Sequence, residues 1–179
     1  MTEGSLASAR LLVFRVGTLA CAADVDQVRE ILPRLPTTRI PGAPPVVAGL
    51  VNVRGTLVTV VEGWRALGLS PLSPPPSPEA GATGSTIILE LGNGEEPGNG
   101  GQAGHGGHGG HGGHGVGRKL IGFTVDEVMD MLAGGETTLE DRKGLPGVDP
   151  TLVRAVGRRN GELFIVLDVA ALLGPILTS

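Results

Sequence analysis

Four histidines, His105, His108, His111 and His114, recur every three residues in a glycine-rich run and are the chain's whole histidine complement. Neutral imidazole is the commonest protein ligand for Zn2+, Ni2+ and Cu2+. A chain in polyproline-like geometry, which turns once in three residues, would bring all four rings to one side. A structural zinc site needs a preorganised tetrahedral shell, however, and no Cys, Asp or Glu lies within the run to complete one. These four residues are expected to take up Ni2+ or Zn2+ adventitiously, and the run otherwise reads as a solvated spacer. No resident cofactor is expected.

Catalytic constellations are poorly supported elsewhere. Cys21 sits in the small-residue run Ala20 to Ala23 with no histidine nearby in sequence, so the base that would activate a thiol is missing. Adjacent carboxylates, Asp126 with Glu127 and Glu140 with Asp141, would face opposite ways on a strand and read as solvated charges. Gly104-x-Gly106-x-x-Gly109 matches the dinucleotide fingerprint formally, yet it opens no helix and arises from the repeat itself. The chain is expected not to be an enzyme.

A third constellation is Asn52, Arg54 and Gly55, with Gly49 just before it. In the plainer account Asn52 and Gly55 are turn residues and Arg54 is a solvated hairpin charge, while Gly49 permits close backbone approach. In the functional account Arg54 presents a planar fork of donors to a partner's carboxylate or carbonyl.

The surrounding composition narrows the partners. With 14 basic and 18 acidic residues the net charge is −4, and no basic block offers a footprint for nucleic acid or anionic lipid. Three Phe, one Trp and no Tyr leave little for base stacking. The lone Cys21 cannot form an intramolecular disulfide, so a reducing cytoplasm is the expected compartment. Glu3 and Arg15 argue against a signal peptide. The apolar stretch Val46 to Val61 is interrupted by Asn52 and Arg54, short of the ~20 apolar residues that span a bilayer, so no membrane insertion is expected.

The elements that must position these residues fall into two segments. A flexible N-terminus (1–9) precedes a segment at 10–70 that is expected to be a first β-barrel subdomain. A Pro-rich spacer (71–83) leads to a second expected β-barrel subdomain at 84–174, which is interrupted by the Gly/His-rich stretch 92–117 and followed by a tail (175–179). The segments read as copies. Val25 to Leu32 matches Val125 to Leu132 at an offset of 100, and Gly55 to Glu62 matches Gly161 to Asp168 at 106; such internal repeats fix architecture. Short aliphatic runs predict strands at Leu11 to Val16, Leu19 to Ala23, Leu57 to Val61, Ile87 to Leu91, Leu120 to Val125 and Leu163 to Leu167. The octads Val25 to Leu32 and Val125 to Leu132 are taken as a turn of helix between strands. Trp64 to Leu69 and Val169 to Leu173 are taken as short helices stopped by Gly68 and Gly174. The Gly/His-rich stretch then replaces the tight turn that Gly17-Thr18 makes in the first copy, and loop closure tolerates such growth at about 0.6 kcal/mol per doubling of length.

Read together, Leu12-Val13-Phe14, Val25 with Val28 and Glu30, Ala48-Gly49-Leu50-Val51-Asn52-Val53-Arg54-Gly55, Val58 to Val61, Ile121 to Val128 and Leu163 to Asp168 resemble the CheW-like domain family. The Gly-x-x-Asn-x-Arg-Gly element is the most specific part. The resemblance implies a mainly all-β fold of two pseudo-repeated five-stranded SH3-like β-barrels with short helices, barrels that can exchange terminal strands. It implies a non-catalytic adaptor coupling the cytoplasmic tip of a chemoreceptor to the regulatory domain of a CheA-type histidine kinase, working in receptor arrays at the inner face of the membrane. Arg54, Asn52, Gly49, Val28, Glu30 and Gly55 are then expected at or near partner surfaces. Glu62 stands where the family usually has Asp, which would loosen any cap on the Trp64 turn. Two alternatives are a metal-binding protein that displays its His loop on this scaffold and an adaptor for surface motility or another kinase pathway.

Overall fold

The structure, a computed structural model, describes residues 9–70, 83–92, 118–133, 135, 137–141 and 147–177. Eleven strands are seen among them: β1 (Leu11–Val16), β2 (Leu19–Asp24), β3 (Val28–Pro33), β4 (Val47–Val53), β5 (Thr56–Glu62), β6 (Ser85–Leu91), β7 (Lys119–Val125), β8 (Glu127–Leu132), β9 (Leu139–Asp141), β10 (Val153–Arg159) and β11 (Glu162–Leu167). Two α-helices accompany them, α1 (Gly63–Ala66) and α2 (Val169–Leu177). The strands form two sheets in the orders β8-β1-β2-β11-β10-β9 and β3-β6-β7-β5-β4. These are the two SH3-like barrels, here called the β1 barrel and the β6 barrel.

Each barrel draws strands from both sequence segments. After β2 the chain leaves the β1 barrel and enters the other as β3; after β7 it returns as β8. The repeat offsets are visible in the pairing. Cys21 faces Ile165 across a parallel rung of the β1 barrel, and Ile121 faces Thr59 across the matching rung of the β6 barrel. Cys21 and Ile121 stand 100 apart, and Thr59 and Ile165 stand 106 apart.

The two octads are these crossovers, and they are strand where helix was expected. Only Val25–Gln27 forms a 3-10 turn, which Asp24 caps by accepting from the Asp26 N–H at 3.0 Å. From Val28 to Pro33 burial alternates residue by residue, the period of a strand rather than a helix, and the backbone pairs with β6. Eight residues do not reveal that pairing, because it is supplied by strands far away in sequence.

Helix α1 ends as expected: Gly68 adopts φ +67 and the Leu69 N–H returns to the Trp64 carbonyl at 2.8 Å, a left-handed glycine stop. Helix α2 instead runs through Gly174 and Pro175 to Leu177. Gly174 does not take the positive φ that would end it.

The β1 barrel has a sixth strand where five were expected. Its β9 pairs with β10 at three positions, while at the corresponding place the β6 barrel holds, among the described residues, the single bridge Thr38↔Leu50. Both hairpins that begin a ladder close in register, Val16↔Leu19 and Leu91↔Lys119. Of the Gly/His-rich stretch 92–117, all but Gly92 lies outside the described residues.

Three apolar clusters hold the molecule. Leu11, Val13, Ala22, Phe164 and Val166 belong to the β1 barrel's own cluster, and Val51, Val58, Val60 and Ile88 to that of the β6 barrel. Opposite faces of the same strands meet between the barrels, where Phe14, Cys21 and Ile165 pack with Ile87, Ile121 and Phe123. Phe14 and Phe123 meet edge to face, with ring centroids 6.0 Å apart. Alternation along β1 divides its side chains between the two clusters, Leu11 and Val13 one way, Leu12 and Phe14 the other.

Candidate partner-binding site

The turn between β4 and β5 presents Arg54. Val53 pairs with Thr56, leaving the two-residue loop Arg54-Gly55, with φ +50 and φ +86. Two consecutive left-handed residues define the type I′ hairpin, which matches strand twist and favours Asn-Gly. Asn52 tightens the loop by accepting from the Gly55 N–H at 2.7 Å. Arg54 reaches out with 82% of its side chain exposed and donates to the Glu30 carboxylate on β3, itself 22% exposed. In the order β3-β6-β7-β5-β4 the outer strands are β3 and β4, so this ion pair links the two edges of the sheet.

The structure brings Arg54 and Glu30 together and separates the other residues by role. Asn52 and Gly55 shape the turn. Val28 is half-buried against the core between the barrels and pairs with Leu89. Gly49 is buried, at φ +152, and a Cβ there would stand 2.3 Å from the Thr38 carbonyl oxygen. The Thr37-Thr38 backbone crosses directly over Gly49 and exchanges both hydrogen bonds with Leu50 at 2.8 Å. His105, His108, His111 and His114 lie outside the described residues. Among the described residues no three His, Cys, Asp or Glu side chains gather as a metal would require.

Glu62 does not cap α1 by its side chain. Its longer arm turns to Arg34, whose guanidinium donates to both carboxylate oxygens at 2.9 and 2.7 Å, and it also accepts from the Thr124 hydroxyl at 3.0 Å. That hydroxyl accepts the Gly63 N–H at 3.1 Å, so the helix start is supported through Thr124. Asp168, the matching residue, caps α2 directly, accepting the Ala171 N–H at 3.0 Å. Cys21 is fully buried and desolvation pushes its thiol pKa well up, which leaves it unreactive.

Sequence reasoning missed the exposed apolar residues. Ile31, Leu57, Met131 and Leu163 are the large hydrophobic side chains left exposed among the described residues. They fall into two matched pairs, Ile31 with Met131 and Leu57 with Leu163, at the offsets of 100 and 106. Each barrel also carries an ion pair at the residue before Ile31 or Met131: Glu30 with Arg54 in the β6 barrel, Asp130 with Arg159 in the β1 barrel. The repeat showed only that both positions are apolar in both copies; that they are also exposed, unlike random surface, came from the fold.

Each of the twin barrels thus exposes two matched apolar residues and carries an ion pair. The CheW-like domain profile matches residues 10–175, and the chain belongs to that family. The chain is 22% identical to the chemotaxis protein CheW of Bacillus subtilis (strain 168) over 174 residues, covering 97% of this chain and 92% of that one. It is 36% identical to the chemotaxis protein CheW of Rhizobium meliloti (strain 1021) over 64 residues, a match spanning 36% of this chain and 41% of the relative. In structure it is similar to the scaffolding protein TtCheW from Thermoanaerobacter tengcongensis, with TM-score 0.67 and 18% identity over 93% of this chain and 88% of that one. The family assignment and the fold agree with the resemblance read from the residues. Among the described residues no helix is long and apolar enough to cross a membrane.

Proposed function

We propose that the protein is a non-catalytic chemotaxis adaptor, which couples a chemoreceptor's cytoplasmic tip to the regulatory domain of a CheA-type histidine kinase in the cytoplasm. The observation that carries this reading is the conformation of Arg54. Its twin in the β10–β11 turn is Asn160, also at φ +50 and followed by Gly161 at φ +84. Asn-Gly is what the turn prefers; Arg in the left-handed region costs about 1 kcal/mol or more. An exposed arginine held against its backbone preference and paired with Glu30, the residue before the exposed Ile31 on β3, fits a residue retained for a partner's carboxylate or carbonyl.

Such an adaptor works by coupling free energy. A receptor state that binds the adaptor and kinase more tightly in one kinase conformation shifts the kinase equilibrium, by ~1 to 3 kcal/mol in typical systems. No cofactor enters this scheme, and metal taken up by His105, His108, His111 and His114 is incidental to it.

The test is a titration of the full chain against the kinase regulatory domain and against a receptor tip fragment. Binding to both, retained after deletion of residues 104–115, supports the adaptor. Binding to neither contradicts it, and a function lost with that deletion transfers the role to the His run.

A further inference from the structure

The two barrels differ in charge at one pair of equivalent positions. Phe14 and Leu89 occupy the same place in the two ladders, opposite Cys21 and Ile121 on one side and Val128 and Val28 on the other. The residues that follow them are Arg15 and Glu90. Around Glu90, 14% exposed, the charge is answered within the chain by Arg29 at 3.3 Å and Arg118 at 2.9 Å. The positions in the β1 barrel that match Arg29 and Arg118 hold Met129 and Thr18, so among the described residues Arg15 has no matching pair of charges around it. Its guanidinium lies 4.0 Å from the Met129 sulfur, and its Nε is buried with no hydrogen-bond partner among the described residues. Glu127 faces it across the β1–β8 ladder but forms no ion pair with it among the described residues. A buried donor without a partner is rare in a folded chain.

We propose that Arg15 is a docking anchor for an acidic side chain of a protein partner, received in trans at the place where Glu90 is satisfied in cis. Thr18 and Met129 bring no charge to Arg15, where Arg118 and Arg29 bring two to Glu90. The planar fork then takes the partner carboxylate against a soft thioether wall. The proposal takes its partners from the adaptor reading.

The experiment titrates wild type, Arg15→Met, Arg15→Lys and Glu127→Gln, as full chains, against the kinase regulatory domain and against the receptor tip fragment, with thermal melts of each. Arg15→Met keeps the aliphatic stem and removes an orphaned donor, so it should melt at or above wild type. It should weaken binding to one of the two partners by at least about tenfold, the scale of one charge-assisted hydrogen bond. Arg15→Lys should recover part of that loss and Glu127→Gln should cause none. Affinities of Arg15→Met within about twofold of wild type for both partners overturn the proposal, since a lost charge-assisted bond exceeds that. So does a loss that Glu127→Gln reproduces, or one accompanied by a lower melting temperature. If the wild type binds neither partner, the adaptor reading falls as well, whereas intact binding unaffected at Arg15 removes this proposal alone.

Discussion

The two barrels share their pairing pattern and differ in a few side chains, and the differences separate what the fold requires from what it leaves free. Both place a register shift in the strand that arrives from the other barrel, between Val28 and Glu30 and between Val128 and Asp130. Both place another near the start of the strand before the type I′ turn, at Val47/Gly49 and at Val153/Ala155. Both set a parallel rung at the junction of the two sequence segments. The turn itself is Asn160-Gly161 in the β1 barrel and Arg54-Gly55 in the β6 barrel. One copy carries the residue the backbone prefers; the other carries a residue that only an interaction justifies.

Gly49→Ala is the most damaging way to break the comparison. Ala155 already occupies the twin position, but a Cβ at Gly49 would stand 2.3 Å from a backbone carbonyl oxygen at φ +152. A loss of about 3 kcal/mol is expected in urea unfolding, from strain and overpacking together. Next comes Glu62→Gln, which leaves the half-buried Arg34 without its counter-charge. That should cost about 1 to 2 kcal/mol, while Asp168→Asn, which retains a capping oxygen, should cost a few tenths. A smaller effect is expected of Arg54→Asn, which makes the β6 turn match its twin. Losing an exposed ion pair costs ~0.2 to 1 kcal/mol, the relief of left-handed strain returns about as much, and stability should stay within about 1 kcal/mol of wild type. The smallest concerns Asp149, which accepts both the N–H and the hydroxyl of Thr151. Those bonds hold its carboxyl below the usual carboxylate range. Its contribution to stability is therefore complete above the ordinary Asp pKa and fades as pH falls through the lowered value. Thr151→Ala should move the carboxyl, followed by NMR titration, back toward the ordinary range.

Much of this was legible in the residues. The two offsets, the aliphatic runs and the Gly-x-x-Asn-x-Arg-Gly element gave the duplication, the strands and the family, because repeated turns and β-branched runs are local signals. The octads were misread as helix because their partners, β6 and β1, lie far off in sequence. Pairing between distant strands leaves no local trace. Gly174 was misread as a stop because a glycine ends a helix only where φ turns positive, which its sequence does not dictate. Within the site, Arg54 was legible as a hairpin residue, but its bond to Glu30 was not, since β3 and β4 meet only when the sheet's edges are drawn together. The roles of Asn52 as turn brace and Gly49 as a crossing point were among the plainer readings. The matched exposures of Ile31, Leu57, Met131 and Leu163 needed surface areas that a repeat alignment does not contain.

The most direct test of the account is calorimetric titration of wild type and Arg54→Asn against the kinase regulatory domain and the receptor tip fragment, with urea unfolding of both proteins. The account predicts that Arg54→Asn folds as stably as wild type to within about 1 kcal/mol and loses at least about tenfold in affinity for one partner. Unchanged affinity for both partners would contradict it, because Arg54 would then be a turn residue whose strain is offset by its Glu30 ion pair alone.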